Sequence, residues 1–304
     1  MLDALAPVAL LIALGYGLRA SAFLPEASWA PIDRLVYYIL FPALLVDGLA
    51  SADLRGLPVL RVTIVLLFTQ LAMAALAAAL RGPLRLSGPS YTSVLQCVVR
   101  WNSYVALALA RSLFGPAGLP LTALAVAVMV PASNLLSIVA LTRHGRDASG
   151  RAGSLVGTIA TNPLILACAL GVAINLAGWH LPKPLSEPLA ILSHATMALG
   201  LLTVGAGLRP HLVTAQPLVI AVATAIQLLV KPAVAAGLGL ALGLGATPLM
   251  VVILACAVPT ATASYILARL LGGDAELMAA LVTITTVAAL LTLPLVLGLV
   301  RLAG

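Results

Sequence analysis

Apolar residues run along this chain in blocks of about 20, the length a helix needs to cross the hydrocarbon of a bilayer. Short polar breaks separate the blocks, and the pattern predicts ten spans, near 4–19, 35–52, 57–80, 91–114, 119–141, 154–177, 187–208, 213–243, 247–271 and 277–301. Glycine and proline punctuate the breaks: Pro25 and Pro31, Gly82 and Pro83, Pro116 and Gly118, Gly145 to Gly153, Pro182 and Pro184, Gly243 and Gly245, Gly272 and Gly273. Two spans are themselves interrupted. Leu95 to Gly118 carries Arg100, Trp101, Asn102, Ser103 and Tyr104 at its middle, and Leu254 to Asp274 carries Pro259, Thr260, Thr262, Ser264 and Tyr265. Proline inside a helix removes a hydrogen bond and clashes with the preceding turn. The pattern therefore predicts an all-α polytopic membrane protein with its fourth and ninth helices broken.

Composition agrees. Of 304 residues, 62% are hydrophobic and 8% charged, against about 25% charged in a soluble domain. Leu, Ala and Val dominate in long runs, where a strand barrel would alternate over short segments. The net charge of +7 comes from Arg and Lys scattered between spans. No basic cluster interleaved with aromatics suggests nucleic acid. Cys97, Cys168 and Cys256 lie in apolar runs without metal-ligand spacing, so they read as small buried hydrophobes. Ala20-Ser21-Ala22 resembles a signal-cleavage site, but Asp3 precedes it where Lys or Arg would be expected, so the segment is kept as a span.

Charge bias sets the orientation. Arg19, Arg34, Arg81, Arg85, Arg143, Arg146, Arg151, Arg209 and Arg269 fall on one side; Arg55, Arg61, Arg111, Lys183 and Arg301 fall on the other. The richer side is expected to be cytoplasmic, with both termini outside. The chain then forms one permease domain, 1–304: a first repeat (1–142), a cytoplasmic linker (143–153) and a second repeat (154–304). Five spans per half make the second half inverted. Sequence echoes support the duplication: Pro7 with Pro163, Gly48 with Gly207, Pro58 with Pro217, Cys97 with Cys256, Ser103 with Ser264 and Pro131 with Pro294, at offsets of 156, 159, 159, 159, 161 and 163.

Interrupted spans at matching places in two halves point to a transporter's midplane binding site. Half-helix N-termini carry positive partial charge and suit a carboxylate. Asn102, Ser103 and Tyr104 with Pro259, Thr260, Thr262, Ser264 and Tyr265 are the candidate substrate-binding residues. A charged residue at the bilayer centre costs about 2.5–3.5 kcal/mol, so Arg100 either pairs inside the protein or meets the substrate. Lys231, ahead of Pro232, poses the same choice and could couple transport to protons. Asp47 and His194 complete the coupling candidates, His194 reading more simply as a hydrogen-bonded bystander. Asn134 and Asn162 read as packing or capping residues. Phosphate loops and metalloprotease or nucleophile-elbow motifs are absent, which disfavours ATP-driven pumping and ordinary hydrolysis. No cofactor or metal is expected, apart from sodium or a proton as a coupling ion.

The segment RWNSYVALALARSLFGPAGL with Val130 to Asn134, Asn162 to Leu166, the closing AVPTATASYILARLLGGDAEL with TLPLVLGLV, and Tyr37 to Leu45 together resemble the bacterial branch of the auxin efflux carrier (AEC) family of permeases. The resemblance covers nearly the whole chain. It implies ten helices in two inverted five-helix repeats, with broken helices four and nine crossing. It also implies a scaffold of spans one, two, six and seven and a mobile transport domain of spans three to five and eight to ten. Asn102 matches the crossover asparagine and Pro259 the span-nine crossover proline. Ala263 departs from the second polar residue common in the family, and Tyr104 to Leu107 replace the usual Gly and Pro. Gln70 is the nearest polar residue to the ionic pair that some plant members carry in span three.

These readings converge on an elevator-type secondary transporter of a small organic anion, a carboxylate, in the bacterial inner membrane, with a homodimer suggested by related proteins. A channel or sensor is the alternative. An intramembrane enzyme would need a nucleophile and base that the spans do not offer.

Overall fold

The computed structural model describes residues 2–51, 57–145, 163–179, 181–210 and 216–303. All regular structure among them is helical. The order is α1 (Leu2–Ala20), α2 (Glu26–Leu35), α3 (Phe41–Ala50), α4 (Val59–Leu80), α5 (Gly88–Val99), α6 (Ser103–Phe114) and α7 (Gly118–His144). The second part of the chain adds α8 (Pro163–Leu176), α9 (Lys183–Ala206), α10 (Pro217–Ala225), α11 (Lys231–Ala241), α12 (Ala246–Ala257), α13 (Ala263–Leu270) and α14 (Ala275–Ala303). Five stretches among the described residues are long and apolar enough to cross a membrane: Val59–Leu80, Gly118–His144, Lys183–Ala206, Pro217–Ala241 and Ala275–Gly298. The protein is multi-pass.

Two π turns have one cause. Val36–Leu40 joins α2 to α3 ahead of Pro42, and Ile226–Val230 joins α10 to α11 ahead of Pro232. A proline ring clashes with the carbonyl four residues back, and widening the preceding turn relieves that clash. The second span accordingly starts earlier than its expected limit of 35: the helix begins at Glu26, and Pro31, expected in a turn, lies inside it. Proline's fixed φ is itself helical, so Pro31 can stay in the helix at the cost of its missing N–H and its ring's crowding of the preceding turn. Asp33 sits in this extension, half-buried and hydrogen-bonded to Thr203, whereas the sequence pointed to Asp47 as the acid within a span.

The chain divides into two compact units. The first comprises Met1–Leu57, Tyr104–Ala127 and Val156–Ala206; the second comprises Pro58–Ser103, Val128–Leu155 and Gly207–Gly304. The family resemblance would put spans four and five wholly in the transport set, but α6 and the first part of α7 fall in the first unit. Local contacts explain this. The Tyr104 ring stands 5.0 Å from that of Phe41, and Cys168 Sγ lies 3.9 Å from Ala123 O.

In the first unit α1 packs along α9, and α3 packs against α8 and α9. Asn175 Nδ2 donates to the carbonyls of Leu49 (3.0 Å) and Ala50 (3.2 Å), which closes the end of α3. Arg19 pairs with Glu26 at 2.7 Å across the α1–α2 turn. In the second unit, α4, α5, α10, α13 and α14 contribute to a core that includes Met73, Val98, Ala223, Ala268, Met278 and Leu281. Helices α11 and α13 stop in the same way. Gly243 (φ 64°) and Gly272 (φ 73°) take the left-handed conformation, and the next residue's N–H returns to Gly239 O and Ala268 O. Cys97, Cys168 and Cys256 are free and buried, as the sequence implied. Of the expected linker 143–153, α7 takes in Arg143 and His144; residues 146–162, Asn162 among them, lie outside the described residues.

Polar contacts at the helix ends hold the second unit in register. Asp274 caps α14, its Oδ1 accepting from Leu277 N at 3.1 Å, while Oδ2 accepts from Ser90 Oγ at 2.9 Å. Its carbonyl accepts from Ser93 Oγ at 2.8 Å. Asp274→Ala is expected to cost about 2 kcal/mol through the lost cap and the lost bond from the Ser90 hydroxyl. Asp274→Asn keeps an acceptor for the cap and should recover about half, measured by thermal unfolding in detergent. At the other junction Arg81 Nη1 reaches His144 Nδ1 at 3.4 Å and lies 5.3 Å over the Tyr91 ring. Arginine can only donate, so His144 Nδ1 accepts this bond.

Candidate functional site

Both interrupted spans are broken, and the breaks meet inside the second unit. Helix α5 ends at Val99, and Arg100 is extended (φ −83°, ψ 162°); α12 ends at Ala257, and Val258 is extended (φ −68°, ψ 156°). The main-chain N–H of Asn102 donates to Pro259 O at 2.8 Å, tying one break to the other. The first break needs no proline because tertiary bonds replace the helical ones it gives up. Helix resumes at Ser103 in α6 and at Ala263 in α13.

Buried polar groups answer the freed backbone. Lys231 Nζ donates to Arg100 O (3.2 Å) and to Gln227 Oε1 (3.1 Å), and Gln227 Nε2 donates to Val258 O (2.8 Å). Thr260 N reaches Thr285 Oγ1 at 3.4 Å, and Thr260 Oγ1 reaches Gln96 O at 3.5 Å. Arg100 Nη1 donates to Asn134 Oδ1 at 2.9 Å, a contact within the protein. Burying a charge is costly unless its hydrogen bonds are made, and α7 supplies that acceptor from just beyond Pro131.

The structure thus brings Arg100, Asn102, Pro259, Thr260 and Lys231 together. Ser103 opens α6 and Thr262 precedes α13. Ser264 is fully buried, and its hydroxyl has no partner among the described residues. Tyr265 packs on the core of the second unit. Three other candidates belong to the first unit. Tyr104 stacks on Phe41; Asp47 accepts through its carbonyl from Ser51 Oγ at 2.7 Å; His194 is exposed, with Nδ1 2.6 Å from Ala190 O and Nε2 3.3 Å from Arg111 Nη2. Each is held by local contacts of that unit.

Gln227 and Gln96 were missed from the sequence. Gln227 lies four residues before Lys231 and Gln96 four before Arg100, the spacing that shares a helix face. Both are fully buried, and both side-chain polar atoms of Gln96 lack a partner among the described residues. A polar residue one turn from an intramembrane charge was the signal available.

A multi-pass helical protein whose broken helices meet in a polar crossing belongs, by architecture, among membrane transporters. A family model described as "Membrane transport protein" matches residues 151–297. An uncharacterized transporter of Methanothermobacter thermautotrophicus is 25% identical over 294 residues, covering 95% of this chain and 94% of the relative. The chain is thus similar to membrane transport proteins, over its second half by the family model and over nearly its whole length by this relative.

Proposed function

We propose that the protein is a permease of the auxin efflux carrier (AEC) family, an elevator-type secondary transporter that binds a small organic anion, a carboxylate, where the two broken helices cross. The observation that carries the reading is the pair of breaks tied by Asn102 N and Pro259 O. Beyond each break a half-helix begins, at Ser103 and Ala263, and such N-termini favour a carboxylate. Asn102, Thr260 and Ser264 supply side-chain polarity, with Ser103, Thr262 and Tyr265 at the periphery. Lys231 is the coupling candidate within the crossing, while Asp47 and His194 belong to the first unit.

The ten spans are read as two inverted five-helix repeats within one permease domain, the second unit carrying the site and the first serving as scaffold and homodimer contact. The protein sits in a bacterial inner membrane with both termini outside. Side-to-side consistency supports this orientation. Arg19 bonds Ala206 O and Arg81 bonds His144 on the side read as cytoplasmic, while Arg61 bonds Gly243 O and Arg111 meets His194 on the other.

Purified protein screened by thermal unfolding against mono- and dicarboxylates, auxin-like acids and neutral analogues tests the reading. At least one carboxylate should raise the midpoint saturably while its amide does not. If no acid in the panel stabilises the protein, the anion reading fails.

A further inference from the structure

Two helix C-termini end inside the second unit, and a helix C-terminus carries roughly half a negative charge on its unsatisfied carbonyls. The carbonyls that close α5 and α12 belong to Arg100 and Val258, and one pair of side chains answers both. Lys231 Nζ takes Arg100 O at 3.2 Å, Gln227 Nε2 takes Val258 O at 2.8 Å, and Gln227 Oε1 bridges back to Lys231 at 3.1 Å. Lys231 is completely buried. The acceptors of its ammonium are a main-chain carbonyl and an amide oxygen, neutral oxygens of the kind that coordinate an alkali cation where a broken transporter helix ends. The ionisable side chains that face it are the thiols of Cys97 and Cys256.

The π turn at Ile226–Val230 contributes to this placement. It widens the helix just ahead of Lys231 and Pro232, while Gln227 and Lys231, four residues apart, both reach the crossing. The positive charge needed to gather two carbonyl ends in hydrocarbon is therefore covalently attached.

We propose that the Lys231 ammonium is a tethered cation standing where a coupling ion would otherwise bind, so that the crossing assembles without sodium, and that removing this side chain creates a site for a small alkylammonium. The proposal rests on the reading of the crossing as the transport site. Its test reads stability and ion binding, not carboxylate binding, so the two can fail separately.

The probes are sodium chloride, choline chloride and propylammonium chloride at equal ionic strength, applied to the full-length protein in detergent. The wild-type unfolding midpoint should be the same in sodium and choline, and radioactive sodium should show no saturable binding by scintillation proximity. Lys231→Ala should lower the midpoint by on the order of 10 °C. Propylammonium, which supplies the three carbons and the nitrogen lost beyond Cβ, should restore it saturably while choline does not. Lys231→Met, which fills the space without charge, should respond to none of the salts. Saturable sodium binding or sodium-specific stabilisation of the wild type would overturn the proposal. So would a Lys231→Ala protein that propylammonium stabilises no more than it does the wild type. If Lys231→Ala does not fold, the wild-type sodium measurements decide alone.

Discussion

Valine at Gly205 is expected to prevent α1 from seating against α9. A Cβ built at Gly205 would run into Ile12 O, and one at Gly15 would run into Leu202 O, so each helix presses its glycine onto the other's backbone. Backbone atoms cannot rotate away as a side-chain tip can, and overpacking of this kind costs about 3 kcal/mol. Small residues are also what allows helices to approach closely in lipid, where apolar burial gives no net attraction. For a unit of this size the unfolding midpoint should fall by on the order of 10 °C, with part of the protein leaving the monodisperse peak in size exclusion. Gly17 provides the control, since nothing lies within 4 Å of its added Cβ. Gly17→Ala should be neutral or stabilising by up to about 1 kcal/mol through helix propensity alone. Equal midpoints for the Gly205 and Gly17 variants would mean that α1 and α9 do not pack this closely.

Alanine at Asn102 should reduce carboxylate flux in proteoliposomes by about 100-fold, equivalent to about 2.7 kcal/mol of lost binding and orientation. The same variant should lose the midpoint rise produced by whichever acid stabilises the wild type. The crossing itself should survive, because its bond to Pro259 O comes from the main-chain N–H of Asn102, which alanine retains. The unliganded midpoint is therefore expected to move by less than about 3 °C, corresponding to under 1 kcal/mol. A variant that transports at the wild-type rate would remove Asn102 from the site. One that unfolds would instead assign its side chain a structural role.

Much of the architecture could be read from the chain. The break at Pro259 was signalled by proline chemistry, and the break at Arg100 to Asn102 by polar residues where hydrocarbon was due. Burial of the three cysteines followed from their apolar surroundings. The start of the second helical run at Glu26 is not legible in the chain because Pro31 reads as a turn, although proline's φ permits it to stay helical. Tyr104 follows Asn102 and Ser103 in the chain and so reads as one of the binding group, yet its ring packs on Phe41, because the division between the units falls between Ser103 and Tyr104.

Hydropathy sums over one segment and needs no neighbour, so the sequence determined that this is a helical membrane protein with two helices interrupted midway. Which group answers which was decided only in three dimensions. Gln227 and Lys231 were two polar residues in an apolar run until α5 and α12 delivered the carbonyls of Arg100 and Val258 to them. Arg100 found a neutral partner in Asn134, 34 residues away. A buried charge must find its hydrogen bonds somewhere, and the chain states that requirement without saying where they will be found.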